Sequence, residues 1–379
     1  MSELSKTVKD ICASCNNDKT RLMDIARAIQ KKFGSVYGEA LNLVAQELKI
    51  PRVEVESMLS FYAFLSEKPQ GKIVIRLCND VIDEMMGAAR VAKIFSEELG
   101  IPFGETTPDG RITLEHTPCI GMCDQAPAAL INDVVVTYLS SDKAREIVKS
   151  LRENNDPQKL VQRYGDGNNA HKLVRAMVHN SIRRKGPVIF GEMAPGEALK
   201  KALAMSPVEV IRDIKTARLR GRGGAGFPTG MKWEFTRAAE GKNKYVLCNA
   251  DEGEPGTFKD RVVLTEKADL LFEGMAIAGY AIGAQVGLLY LRGEYAYLRA
   301  FLEQVVRDRQ EKGLLGKNIC GKKGFDFEVR VQMGAGAYVC GEETAMISSC
   351  EGLRGDPKTR PPFPAQKGYM DCPTCVNNV

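Results

Sequence analysis

The chain of 379 residues is too long for one ordinary hydrophobic core and suits two globular units. Charged residues make up 27% and hydrophobic ones 44%, and the net charge of +5 comes from 53 basic and 48 acidic residues spread along the chain, a globular and not a nucleic-acid-binding balance. No apolar stretch approaches the ~18 residues of a membrane span, and the first residues lack the apolar core of a signal peptide, so the expectation is a cytoplasmic protein.

In chain order, residues 17–66 carry helical patterning. A stripe of Leu22, Ile25, Ala26 and Ile29 predicts a helix over 18–33 that Gly34 stops. Two shorter helices are expected over 38–48 and 53–65, with Pro51 opening the second. After a break at 69–71 comes a strand at 72–78. A helix at 85–99, strands at 111–116 and 129–138, and a helix at 141–151 follow, the pattern of a small α/β unit. Residues 152–175 are polar and turn-rich and read as a linker. From Gly186 onward, strands at 244–249, 286–292 and 327–333 alternate with glycine-rich turns and with helices at 264–282 and 296–312, which predicts a second α/β unit.

Eleven cysteines with no export signal argue against a disulfide framework. Cys78 ends a predicted strand, and Cys119 and Cys123 bracket the turn Cys119-Ile-Gly-Met-Cys123. Three sulfurs in this arrangement suit a soft metal centre, and three buried cysteines account for the same spacing. The segment 18–149 resembles the thioredoxin-like [2Fe–2S] subunit of respiratory NADH dehydrogenase. The likeness takes in the leading helices, Phe61-Tyr62-Ala63-Phe64 and the turn Cys119 to Pro127. That family holds its cluster with four cysteines spaced C-x4-C and C-x3-C. Here Cys78, Cys119 and Cys123 match, and Asp83 stands at the fourth position. A carboxylate is a harder ligand than thiolate yet binds iron, so the resemblance implies a cluster held by Cys78, Asp83, Cys119 and Cys123. Recruitment of Cys12 or Cys15, or loss of the cluster, stands as the alternative.

Residues 220–235 contain Gly221, Gly223 and Gly226 in a G-x-G-x-x-G pattern, but the preceding segment 215–220 is basic and mixed, not an apolar strand. This excludes the ordinary dinucleotide fingerprint, while glycines beside Lys232 still allow close approach to a phosphate. Asp251, Glu252 and Glu254 cluster after a predicted strand. Glu342 and Glu343 open a predicted helix after the glycine turn 334–341. An acidic surface turn and ordinary helix capping produce the same two patterns.

In this order the three motifs, with 243–261, 313–318 and 360–379, resemble the flavin-binding subunit of NADH dehydrogenase almost word for word. The resemblance implies the following roles. Gly221, Arg222, Gly223 and Gly224 pass beside FMN. Lys232, Asn249, Val376, Asn377 and Asn378 serve its phosphate and ribityl chain, and Asp251, Glu252, Tyr338, Gly341, Glu342 and Glu343 line the flavin and nicotinamide pocket. Phe227, Phe235 and Phe363 stack on the adenine of NAD(H), and Glu254 takes the adenosine ribose and disfavours NADP(H). No side-chain nucleophile is required, because hydride moves directly between nucleotide and flavin.

The expected organisation is a helical segment over 1–66, a thioredoxin-like [2Fe–2S] domain over 67–151, a linker over 152–185 and an FMN- and NAD(H)-binding Rossmann-like α/β domain over 186–379. The flavin family continues with further segments, among them a helical bundle with a [4Fe–4S] cluster, that this sequence lacks, so the flavin domain is expected to be incomplete. Fusion of the two halves, together with Asp83, resembles the flavoprotein subunit of cytoplasmic NAD-reducing [NiFe]-hydrogenase. The implied partners are hydrogenase and iron–sulfur relay subunits, with no nucleic acid. An NADH dehydrogenase or formate dehydrogenase subunit, and a non-catalytic docking module, are the rival expectations.

Overall fold

The computed structural model describes residues 2–161, 171–174, 176 and 178–379. Much of the predicted linker therefore lies outside the described residues.

Four helices come first: α1 (Glu3–Ser14), α2 (Leu22–Phe33), α3 (Glu39–Leu48) and α4 (Arg52–Phe61). The first was not anticipated, although Val8 and Cys12 sit on one buried face and Ser2 caps its start by accepting from the Ser5 N–H. A mixed sheet follows, built from β1 (Ile73–Cys78), β2 (Glu105–Thr106), β3 (Ile112–Thr117), β4 (Ala129–Ile131) and β5 (Val134–Val136) in the order β2-β3-β1-β4-β5. Helices α5 (Val81–Met85), α6 (Ala88–Leu99) and α7 (Ser141–Asn154) complete this unit, and its core joins Phe95, Val91 and Ile147 to the β1 face of Ile73, Ile75 and Leu77. The helix expected at 85–99 starts at Ala88 as α6, because Gly87 takes φ +97, a conformation that helical L-residues avoid, and α5 ahead of it was not expected. The strand at 129–138 is a tight hairpin turning at Asn132, whose φ is +52.

The second unit holds helices α8 (Glu197–Leu203), α9 (Pro207–Thr216), α10 (Thr229–Ala238), α11 (Lys259–Glu266), α12 (Ala268–Ile282), α13 (Arg299–Glu311) and α14 (Glu343–Cys350). They surround a sheet of β6 (Tyr245–Ala250), β7 (Val286–Leu291), β8 (Glu328–Met333) and β9 (Thr374–Asn378) in the order β8-β7-β6-β9. Every strand pair in it is parallel, so all strand C-termini lie along one edge, where Asn249 faces Asn378 and Ala250 faces Leu291. The predicted helix at 264–282 breaks at Lys267 into α11 and α12. β9 escaped sequence reading because a polar run ending in two asparagines carries little strand signal.

The core does not follow chain order. Residues of α1–α4 share one hydrophobic cluster with β6–β9 and with Cys78, Leu130 and Val135 of the first sheet, whose other face packs in a separate core. Tyr62 donates to the Ser349 hydroxyl at 2.7 Å, and the Ala63 and Phe64 N–H groups donate to the carbonyls of Gly336 and Ala335. Val174, Ala176 and Val178 are also buried in that cluster.

Glu273, on α12, is 1% exposed and bonds the N–H groups of Gly196 and Leu199 at the start of α8 and Arg309 of α13. Removing one partner of such a buried pair leaves the other charge stranded. Glu273→Ala is therefore expected to destabilise the chain by about 3–5 kcal/mol in denaturant unfolding, and a loss below about 1 kcal/mol would contradict this role.

Candidate functional site

The site lies where the C-terminal edges of the two sheets meet. Parallel pairing of β1 with β3 sets Cys78 opposite Thr117, which brings Cys119, two residues on, beside Cys78 at the edge of the first sheet. The Cys119 and Cys123 sulfurs are 3.3 Å apart. Asp80 caps α5 with Oδ1, accepting from the Ile82 and Asp83 N–H groups, and its Oδ2 lies 3.6 Å from the Cys123 sulfur. Ligand atoms of Asp80, Cys119 and Cys123 lie within 4.8 Å of one another, as do those of Cys78, Asp80 and Asp83. The four sequence-predicted ligands fall into two pairs, Cys119 with Cys123 and Cys78 with Asp83, and Asp80 belongs to both groups. Asp80 was missed because an Asp before a short helix reads as an ordinary N-cap.

This donor set fits an iron–sulfur centre. It has three thiols and two carboxylates, with Cys78 and Asp83 each 1% exposed and Cys119 3% exposed. Burial pushes the Cys78 thiol up and the Asp83 carboxyl up to about 6, the latter despite a 2.8 Å bond from the Ala128 N–H. The hydrogen bond between the paired sulfurs keeps the proton on Cys119 and lowers Cys123. A group of ligands that bury charge against one another suits a cation at their centre.

The turn between these cysteines is held by the second unit. Arg261, on α11 and fully buried, donates to the Gly121 carbonyl at 2.7 Å and grips both Asp124 oxygens at 2.9 and 2.8 Å. Arg292, just past β7, donates to the Cys119 carbonyl at 2.5 Å and to the Glu252 carbonyl. The Gly256 N–H lies 3.1 Å from the Cys123 sulfur. Gly121 has φ +74, and a Cβ there would collide with the Tyr295 hydroxyl, so the neighbouring unit dictates the glycine of this turn. None of Arg261, Arg292 and Tyr295 was predicted as functional, since a charged residue on a helix or after a strand ordinarily reads as solvated.

On the second sheet's edge, Asn249 donates to the Gly341 carbonyl at 2.9 Å and Trp233 donates to Asn377 at 3.0 Å. Lys232 donates to the Val376 carbonyl and sits 3.7 Å from Glu343. The glycine loop lies between α9 and α10, not after a strand, and a Cβ on Gly223 would lie 3.4 Å from the Asn378 side chain. Gly221 pairs with the Phe227 carbonyl, while Arg222 and Gly224 are exposed. Tyr338 bonds Glu254 across the cleft mouth. Phe227, Phe235 and Phe363 are 41, 49 and 53% exposed, which leaves ring surface open to a ligand.

Two predicted pocket residues are otherwise engaged. Glu252 spends its carboxylate on the Asp260 and Arg261 N–H groups and the Tyr295 hydroxyl, and Glu342 caps α14 through the Thr344 and Ala345 N–H groups. Asp251 is different, because its Oδ2 is buried with no hydrogen-bond partner. An unpaired buried oxygen, a glycine loop approaching Asn378 and a cation at Lys232 fit a bound polar cofactor such as FMN. A cavity of about 350 Å³ lined by Asp80, Cys119, Asp251, Arg292 and Tyr338 joins the two halves of the site.

Residues 8–152 match the thioredoxin-like [2Fe-2S] ferredoxin family, and residues 214–379 match the Nuo51 FMN-binding domain family. The two matches lie in tandem, an iron–sulfur-type segment ahead of a flavin-type segment. In that arrangement it is similar over nearly its whole length to a subunit of an NAD-reducing hydrogenase. It is 47% identical to the NAD-reducing hydrogenase HoxS subunit alpha of Cupriavidus necator over 377 residues, which are 99% of this chain and 63% of that relative. A solved NAD+-reducing [NiFe]-hydrogenase in the air-oxidized state superposes with a TM-score of 0.81 at 35% identity, covering 96% of this chain and 59% of that one. An NADH-quinone oxidoreductase subunit of Rhizobium meliloti is 53% identical over 183 residues, 48% of this chain and 43% of the relative. The chain thus spans about three-fifths of the relatives it matches end to end.

Burial raises the Asp251 carboxyl from 3.8 to about 8. The folded chain then holds a proton that the unfolded chain releases, so this group favours folding below about pH 4 and that contribution is lost as pH rises toward about 8. Asp251→Asn is expected to flatten the decline of thermal stability between pH 5 and 8 in melts of the flavin-free chain. An unchanged pH slope would contradict the assignment.

Proposed function

We propose that this chain is the NAD(H)- and FMN-binding, cluster-bearing portion of a cytoplasmic NAD(H)-dependent oxidoreductase that exchanges electrons with a hydrogenase module. The observation that carries the reading is the contact of the cysteine turn with the flavin-type domain, in which the loop 251–256 spans from Asp251 in the cleft to the Gly256 N–H at the Cys123 sulfur. FMN, when bound, would supply the hydride and one-electron chemistry that the side chains lack.

The residues bind, orient and exclude. Lys232, Asn249, Asn377 and Asn378 hold the flavin's phosphate and ribityl chain, and the glycine loop 221–224 with Arg222 lets its edge approach the backbone. Asp251, its carboxyl pushed up by burial and its Oδ2 unpaired, would offer a polar contact to the bound cofactor. The exposed rings of Phe227, Phe235 and Phe363 offer the adenine a stacking surface, and Glu254 receives the ribose hydroxyls while repelling a 2′-phosphate. Cys78, Cys119, Cys123 and one or both of Asp80 and Asp83 hold the [2Fe–2S] cluster.

The test is an anaerobic visible and EPR spectrum of the purified, FMN-supplemented chain before and after NADH. Flavin bleaching with a reduced [2Fe–2S] signal is expected, and NADPH should react with a kcat/KM at least about tenfold lower unless Glu254 is replaced by Gln. Bleaching with no iron signal would sink the relay, and equal kcat/KM for the two nucleotides would sink the role of Glu254.

A further inference from the structure

We infer that the reduction potential of the iron–sulfur centre is set from outside its own domain, with Arg292 and Arg261 of the flavin-type domain as its positioning residues. The inference rests on the cluster proposed above and deepens it.

Every hydrogen bond described from the second unit to the turn 119–124 donates toward it. Arg261 reaches Gly121 and Asp124, Arg292 reaches Cys119, and the Gly256 N–H reaches the Cys123 sulfur. The two arginines differ in where their counter-charge sits. Arg261 is neutralised inside the turn by Asp124. Arg292 is 3% exposed and pairs with Glu294, 3.0 Å away on its own domain, while its other end donates to the turn at Cys119. Reduction adds one electron to a centre shielded from water. A guanidinium on the carbonyl of a ligand cysteine and an N–H donor at a ligand sulfur therefore favour the reduced form and raise its potential. Arg292 and Glu294 act on the potential with opposite sign, which a purely structural pair would not do.

The experiment is a mediated, EPR-monitored potentiometric titration of the purified chain, dithionite supplying the electron, with iron and FMN content measured alongside. Arg292→Gln should shift the midpoint to more negative potential, Arg292→Lys should restore most of the shift, and Glu294→Gln should move it the other way. Arg299→Gln, which loses only contacts to Asp24 and Glu303, should leave it in place. If Arg292→Gln loses its iron, recovery of iron and midpoint in Arg292→Lys supports the inference and non-recovery overturns it. Iron-replete Arg292→Gln and Glu294→Gln chains with a wild-type midpoint and line shape, or with shifts of one sign, also overturn it. A wild-type chain with no reducible iron signal would instead overturn the cluster assignment on which this rests.

Discussion

Two buried guanidinium groups hold the molecule's working parts in register. Arg261 and Arg292 start in the flavin-type domain and end on carbonyl oxygens of the cysteine turn in the other. Burying a charge costs several kcal/mol unless it is paired and fully bonded. Both are paired, with Asp124 and with Glu294, and both spread their N–H groups over backbone carbonyls as well. The constraint runs in both directions. Tyr295 packs so closely on the turn that position 121 tolerates only glycine, and the same tyrosine fixes Glu252, which in turn caps α11 and aims Arg261.

The rest of the architecture serves that joint. Parallel pairing brings Asn249, Asn378, Arg292 and Gly334 to one edge, so the glycine loop, the acidic loop and the start of α14 converge without any long connection inside the site. The N-terminal helices brace the loop 334–341 from behind, through Tyr62 on Ser349 and Phe64 against Gly336. That explains why a segment preceding the first sheet shares its core with the second.

Much of this was legible in the sequence. The cysteine spacing, the three glycine and acidic motifs and most elements could be read directly, because short-range patterns dictate them. Asp80 could not, since its capping role and its ligand role look alike in one dimension. Arg261 and Arg292 could not either, because nothing local distinguishes a solvated arginine from one buried against another domain. The roles expected of Glu252 and Glu342 in the pocket came from resemblance, and in the structure each carboxylate also accepts from N–H groups at a helix start. α5 went unread because five residues are too few to carry a helical stripe.

The measurement that tests the central claim most directly is a double-mutant cycle across the joint, Arg261→Met against Asp124→Asn, followed by denaturant unfolding. A joint of the kind described predicts a coupling energy of about 1.5–3 kcal/mol, with the double variant more stable than the sum of the single losses allows. Additive losses, within about 0.5 kcal/mol, would mean that the two domains merely touch.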